Sequence, residues 1–122
     1  MAKPKGLGGK GEDLALEFLT DNGFIILERN FSSRFGEIDI IAKEENYLCF
    51  IEVKTRTKDK NIASGFEAIG ISKQRKILKT AEYFMVTHKK LLEEDKLQPR
   101  FDCLEVNITD ISADFELIKN AF

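Results

Sequence analysis

Three ionisable residues at the ends of apolar segments are the side chains of this sequence best placed to do chemistry. Asp39 lies among isoleucines, and Glu52 and Lys54 follow the apolar run that begins at Tyr47. If the two segments form a β-hairpin that turns at about residues 45–46, Asp39 lies opposite Glu52, because cross-strand partners are symmetric about the turn. Glu52 and Lys54 are two residues apart, so they lie about 7 Å apart on one face of their strand. The pattern predicts that two carboxylates and an ammonium group converge.

Side-chain alternation predicts the surroundings of Asp39. Successive side chains of a strand point to opposite faces of the sheet. Alternation therefore places Glu37, Asp39 and Ile41 on one face, and Ile38, Ile40 and Ala42 on the other. We expect Glu37 to lie near the candidate site without binding a metal directly, because it is at the start of the strand.

Two carboxylates that face each other across paired strands need a cation. Like charges in this position destabilise a sheet, and a partly buried carboxylate is unfavourable unless it is compensated. Lys54 can neutralise only one of them. A hard divalent ion bound by Asp39, Glu52 and the Val53 carbonyl would balance the charge, and all-oxygen ligands favour magnesium or manganese over zinc. Such an ion activates water and neutralises phosphoryl oxygens, while Lys54 can orient the water or the phosphate, so the pattern predicts phosphodiester hydrolysis.

A simpler interpretation treats the same groups as ordinary surface residues. A Glu-x-Lys pair at a strand edge is commonly a solvated ion pair, and an aspartate beside isoleucines is commonly an edge residue. The occurrence of both on matching faces of two neighbouring strands favours a site.

The elements that must position these residues follow from apolar periodicity. A helix is predicted at residues 12–22 and three strands at residues 24–29, 37–42 and 47–54, arranged as a meander. Ser72 is predicted to cap a second helix that runs to about residue 89, and two further strands follow at residues 100–107 and 111–119. The order α-β-β-β-α-β-β predicts an α/β fold, with a mixed central sheet flanked by helices.

Length and composition limit the class of protein. The chain has 122 residues, of which 43% are hydrophobic, enough for a single domain over residues 1–122 with a flexible basic segment at residues 1–10. No apolar run approaches the ~20 residues that span a bilayer. The two cysteines, Cys49 and Cys103, lie far apart in apolar runs, so we expect buried free thiols and a cytoplasmic protein.

Basic residues are clustered although the net charge is only −2. One cluster leaves the third strand and another occupies the first turns of the second helix, and both lie within reach of the acidic pair in the predicted fold. Cations at a helix N-terminus oppose the helix dipole, which favours a functional reason for the second cluster. The predicted nucleic-acid contacts are Arg56, Lys58, Lys73, Arg75 and Lys76. A solvated helix face is the alternative.

Three aromatic residues are predicted to lie in loops near these clusters. They are Phe31, Phe35 and Phe66. Aromatic rings in such positions can stack on a displaced base. Packing in the core or under a lid is the alternative.

Blocks spread over nearly the whole chain resemble the YraN family. These blocks are Gly11-Glu12, Gly36-Glu37-Ile38-Asp39-Ile40-Ile41-Ala42, Phe50-Ile51-Glu52-Val53-Lys54-Thr55-Arg56, Arg100-Phe101-Asp102 and Asn120-Ala121-Phe122. That family is grouped with nucleases of the restriction-endonuclease-like fold and is similar to archaeal Holliday-junction resolvases. By this resemblance Asp39, Glu52 and Lys54 take the three catalytic positions, and Glu12 takes that of a helix-borne glutamate that approaches the metal. The resemblance thus implies that Glu12, Asp39 and Glu52 hold the magnesium.

The resemblance implies a magnesium- or manganese-dependent nuclease that acts on branched or damaged DNA, and a homodimer, because cutting two strands symmetrically needs two sites. Two other functions stay open. One is a nucleic-acid-binding or scaffold module that keeps the fold without hydrolysing DNA. The other is a hydrolase of RNA or of small nucleotide phosphodiesters.

Overall fold

The computed structural model describes residues 7–57 and 69–122, with the side chains of the first segment described from Lys10 onward. Helix α1 (Leu7–Asp21) precedes strands β1 (Ile25–Ser33), β2 (Gly36–Glu44) and β3 (Tyr47–Thr57); helices α2 (Ile71–Thr87) and α3 (Lys89–Asp95) precede strands β4 (Gln98–Ile108) and β5 (Ala113–Ile118). The predicted order is confirmed with one addition, α3. This helix has seven residues and buries none of them, so it lacks the apolar stripe by which a helix is predicted.

The five strands form one sheet in the order β1-β2-β3-β4-β5. The first three are an antiparallel meander, as predicted, and β5 is antiparallel to β4. β3 and β4 are parallel, so α2 and α3 lie in the crossover between them. The prediction of a mixed α/β sheet flanked by helices is therefore confirmed.

Each face of the sheet is covered by one long helix. On one face, Ala15 and Leu19 of α1 pack with a cluster that includes Ile40, Cys49 and Ile51. The other face carries a second cluster, in which α2 contributes Ile77, Ala81 and Phe84 against Ile41, Leu48 and Phe50. Cys49 and Cys103 are buried and free, which confirms the prediction for both thiols.

Side-chain alternation fails in β2 next to Asp39. Ile40 and Ala42 share the α1 cluster, but Ile38, which was expected on the same face, belongs to the α2 cluster together with Ile41. The β2–β3 ladder begins at Ile40, and before that residue β2 pairs only with β1. The strand is thus released from one neighbour at Asp39, which allows its backbone to turn there.

The start of α2 also differs from the prediction. Gly70 is the N-cap, with an extended backbone and no side-chain capping bond, so Ser72 lies inside the first turn and does not cap the helix. The Gln74 side chain instead donates a hydrogen bond of 2.7 Å to the Ile69 carbonyl. This bond satisfies the Ile69 carbonyl just before the helix. The Ser72 side chain is exposed at the surface.

The Arg100-Phe101-Asp102 block stabilises the C-terminal turn. Arg100 donates from Nε and Nη2 to the fully buried Asp102 carboxylate at 2.9 Å, and also donates to Glu44 at 2.8 Å. The Asn120 N–H donates to Asp102 at 3.0 Å. Charged groups buried in this way are stable because they are paired and hydrogen-bonded.

The predicted flexible segment at residues 1–10 lies partly within the described residues. Residues 7–10 of the segment expected to be flexible form the first turn of α1, and residues 1–6 lie outside the described ranges. No helix within the described ranges is long and apolar enough to cross a membrane.

Candidate metal and nucleic-acid site

Asp39 lies where β2 and β3 separate. Glu44 pairs with Tyr47 and Ile40 with Ile51, which is the register predicted from a turn at residues 45–46. One residue beyond the last pair, the Asp39 carboxylate accepts the Val53 N–H at 2.8 Å through Oδ2. A side chain thus replaces a backbone carbonyl as the partner of β3, and this bond fixes the carboxylate beside Glu52.

Burial and crowding by other carboxylates perturb Asp39. Burial raises the pKa of its carboxyl from the ordinary 3.8 to about 7, helped by the negative charges of Glu52 and Glu12, while the Val53 N–H and Lys73 act in the opposite direction. The ionised form is disfavoured because water is partly excluded and neighbouring charges have the same sign. A cation at this position would favour it.

Glu52 is buried and forms an ion pair that was not predicted from the sequence. Its side chain is 8% exposed, and Oε2 forms an ion pair with Lys73 Nζ of α2. The hydrogen bond to Glu52 raises the pKa of Lys73 above its ordinary value. Lys73 was predicted as a nucleic-acid contact, whereas the structure places its ammonium group among the carboxylates.

Lys54 lies farther along β3 and is half-buried. It is level with the buried Glu105 of β4. Its positive charge lowers the pKa of Cys103, although burial has the larger effect and raises that pKa to about 11. Side-chain alternation along β3 places Lys54 on the same face as Glu52. Cys103 lies on the neighbouring strand β4, where it pairs with Glu52.

Arg56 is engaged within the fold. Its Nε donates to Glu105 at 2.7 Å, and the Glu105 side chain is only 2% exposed. A buried carboxylate needs such a cation, so Arg56 has a structural partner in addition to its predicted contact with nucleic acid. The other predicted contact on this side, Lys58, lies outside the described residues.

Glu12 reaches the site from the opposite face of the sheet because α1 packs very closely on β3. A Cβ at Gly11 would lie 2.8 Å from Thr55 Cγ2 and would overlap the Thr55 hydroxyl, so glycine allows this approach. Glu12 is near enough to raise the pKa of Asp39, and its carboxylate lies 3.9 Å from Arg29 Nη2. Its side chain is 27% exposed.

The acidic pair opens into a cleft of about 500 Å³ between the sheet and α2. Glu37 lies at its edge as an exposed side chain. The full lining is Gly36, Glu37, Asp39, Glu52, Gly70, Ser72, Lys73, Lys76 and Ile77. Lys76 and Ser72 also line a neighbouring cleft together with Arg75, so two more of the predicted nucleic-acid contacts border the site.

The donors at this site fit a hard divalent cation. Asp39, Glu52 and the Val53 carbonyl are the oxygen donors that would hold it, and the crowded Asp39 carboxylate is a group that a cation would stabilise. Within the described ranges, no three His, Cys, Asp or Glu side chains are assembled as a metal-binding group. Two carboxylates are nevertheless sufficient for magnesium, which keeps several waters and often completes its shell with phosphate oxygens.

Comparison with known proteins gives consistent matches. The model of a family described as "Uncharacterised protein family UPF0102" matches residues 11–106. A UPF0102 protein of Clostridium botulinum (strain 657 / Type Ba4) is 45% identical over 120 residues, which cover 97% of this chain and 94% of the relative. A UPF0102 protein of Caldicellulosiruptor saccharolyticus is also 45% identical over 120 residues, 95% of this chain and 96% of its own. The matched region includes both acidic strands and the basic turns of α2.

Proposed function

This chain belongs to the UPF0102 family, which is the YraN family that its sequence blocks resemble, and we propose that it is a magnesium- or manganese-dependent nuclease for branched or otherwise structured DNA. The observation that carries the proposal is the meeting of Asp39 and Glu52 at the end of the β2–β3 ladder, in a cleft bordered by Lys73 and Lys76. Carboxylates suit a hard cation, and the surrounding ammonium groups suit the phosphates of a nucleic acid.

The roles of the side chains follow from their positions. Asp39 and Glu52 would hold the cation together with the Val53 carbonyl, and Glu12 would add negative charge from α1. When bound, magnesium lowers the pKa of a water and neutralises charge on a phosphoryl oxygen. Lys54 orients the attacking water or steadies the scissile phosphate. Lys73 balances the charge of Glu52 in the metal-free protein. With a metal bound, the flexible Lys73 side chain would be free to contact a phosphate oxygen.

A nicking assay on branched DNA with magnesium tests the proposal. Asp39→Ala and Lys54→Ala should each lower the rate by about a hundredfold or more, because one removes a ligand and the other a group that acts on the water or phosphate. Asp114→Ala and Lys90→Ala change exposed residues of the same types and should cut at the native rate. Native rates in both site variants would refute the assignment.

Calorimetric titration of magnesium and manganese examines the metal separately. The native protein should bind, and Asp39→Ala should not, because one of two carboxylate ligands is lost. If the native protein binds DNA in a salt-sensitive way but neither binds metal nor cuts, the chain is a non-catalytic nucleic-acid module. Faster turnover of single-stranded RNA or cyclic dinucleotides than of branched DNA would assign it to another phosphodiester.

A further inference from the structure

A stripe of exposed side chains runs along α2 away from the acidic cleft. Its members recur at helical spacing and change from polar and basic to apolar: Ser72, Lys76, Lys79, Tyr83 and Val86. Val86 lies fourteen positions after Ser72, which corresponds to about 21 Å along the helix. Ser72 and Lys76 also line the acidic cleft, so the stripe begins at the candidate site.

The turn between β1 and β2 forms the other wall along this stripe. Arg34 and Phe35 line a cleft of about 640 Å³ with the basic part of α2, and Phe35 also lines a second cleft of about 340 Å³ with Tyr83 and Val86. Arg34 and Lys79 lie 5.2 and 5.6 Å from the centre of the Phe35 ring. Lys79 and Glu82 also line the second cleft, whose wall is otherwise apolar. The ring therefore separates a cationic cleft from a mainly apolar one, and cations flank it.

Phe35 is held in place by its own turn. Its N–H donates to the Ser33 hydroxyl at 3.0 Å, and that hydroxyl lies 3.2 Å from the hydroxyl of Thr80 in α2. Gly36 then brings the turn against α2, since a Cβ there would lie 3.3 Å from Lys76 Cβ. These contacts hold the ring beside the helix before any ligand arrives, which lowers the entropy lost on binding.

Phe31 does not share this position. It lies in β1 and not in a loop as predicted, and it packs edge-on against Phe84 with ring centres 5.2 Å apart, against the core cluster beneath α2. Phe66 lies outside the described residues. Of the two predicted aromatics that the structure describes, Phe35 is the one that lines the clefts next to the candidate site.

We propose that the groove between the β1–β2 turn and α2 binds a single-stranded segment of DNA as it leaves the acidic cleft. Phosphates lie on Arg34, Lys76 and Lys79, and an unpaired base stacks on Phe35. The change from cations to Tyr83 and Val86 favours this occupant, because a strand with free bases offers both phosphates and apolar ring faces. A fully paired duplex offers its phosphates but keeps its base faces stacked inside. The inference rests on the proposed function and narrows the substrate to DNA with an unpaired strand beside the cut.

The chain has no tryptophan, so a single introduced one reports on the groove. Phe35→Trp is titrated with an oligonucleotide, a flapped duplex and a blunt duplex, without divalent metal so that nothing is cut. Stacking should quench its fluorescence with the first two and not with the third. Tyr47→Trp is the matched control, since Tyr47 is partly exposed at the opposite end of β3 from Lys54, and its signal should stay constant. Equal quenching by the blunt duplex, or quenching only by an acidic peptide, overturns the inference.

Affinity provides an independent measurement. Phe35→Leu keeps apolar bulk but loses the aromatic face, so its Kd for flapped DNA should rise about tenfold, the usual effect of losing one base–aromatic stack. Its Kd for blunt duplex should not change, and a melting curve checks that it folds. If native protein cuts branched DNA while Phe35→Leu binds flaps as tightly, only the groove inference fails. If native protein neither binds nor cuts any nucleic acid, the proposed function fails as well.

Discussion

At the scale of single residues, the structure treats the two central carboxylates differently. Glu52 is buried and paired with Lys73, whereas Asp39 accepts one backbone N–H and has a pKa raised to about 7. Lys73 neutralises one carboxylate and leaves its neighbour crowded, so the second carboxylate is the group that a bound cation would stabilise most. In the metal-free protein, Lys73 therefore balances the charge of Glu52, whereas the charge of Asp39 is crowded by other carboxylates.

This crowding predicts a pH-dependent effect of Asp39→Asn on stability. The native pKa of about 7 exceeds the ordinary 3.8, so the native state holds its proton over this range and stability falls as the pH rises from about 4 to 7. Asparagine does not ionise, so at pH 8 without metal the variant should have a higher melting temperature than the native protein. Each kcal/mol gained in the free energy of unfolding should raise the melting temperature by about 3–6 °C. At pH 4 the two proteins should melt alike.

Thermal denaturation of metal-free protein at both pH values measures this difference. Asp114→Asn changes an exposed aspartate and should leave the melting temperature unchanged at either pH. A gain for Asp39→Asn that is equal at pH 4 and pH 8 would show that charge crowding is not its cause.

Lys73 leads to a second prediction at this scale. Lys73→Met removes a positive charge from beside the proposed cation site, so magnesium should bind about threefold more tightly. The metal-free protein should become less stable, because the buried Glu52 loses its partner. Titration calorimetry and melting curves report the two effects, with Lys90→Met as the exposed control. Weaker metal binding would instead mean that Lys73 helps to hold the ligands in place.

At the scale of elements, the approach of α1 to β3 decides whether Glu12 takes part in the site. α1 lies on the opposite face of the sheet from α2, and Gly11 allows the contact with Thr55. Without that contact the helix would lie farther from the sheet, and the charge of Glu12 would act less on Asp39. A backbone position therefore controls an electrostatic effect at the site.

Gly11→Ala tests this contact, because helix propensity and overlap with Thr55 should change the stability of the protein in opposite directions. Alanine favours a helix by about 1 kcal/mol over glycine, yet overlap with Thr55 should destabilise the protein by about 1–3 kcal/mol. We expect a lower melting temperature and weaker magnesium binding. Adding Thr55→Ala should restore part of the loss, and Gly70→Ala, where a Cβ meets nothing within 4 Å, should change little. A more stable Gly11→Ala variant would contradict the close packing.

At the scale of the whole molecule, a net charge of −2 conceals a separation of charge around the cleft. The carboxylates lie inside it, and the cations Arg34, Arg75, Lys76 and Lys79 line the neighbouring cleft. Under the proposed function, this distribution would favour phosphates at the rim and a divalent cation in the interior.

A single compact site of this kind predicts a dimer on a symmetric branched substrate. Two strands cut at related positions need two copies related by a twofold axis. Analytical ultracentrifugation should therefore find two chains on one four-way junction, and a matched linear duplex serves as the control. One chain per junction at saturating protein would contradict symmetric cutting.

Much of the fold and the centre of the candidate site could be predicted because they depend on local rules. Strand alternation and turn symmetry placed Asp39 beside Glu52, and apolar periodicity predicted both long helices. The same rules failed for Ser72, since the backbone at Gly70 sets the helix start, and for Ile38, since the end of a ladder releases the strand. α3 has no apolar stripe to reveal it.

The strand register and the meeting of two carboxylates could be predicted, because both follow from residue spacing along neighbouring strands. Three other contacts could not: Lys73 pairs with Glu52, Gly11 packs on Thr55 and Phe35 faces the α2 stripe. These contacts join residues far apart in the chain. They depend on how each helix lies over the sheet, which is fixed by the packing of the whole core and not by any local pattern.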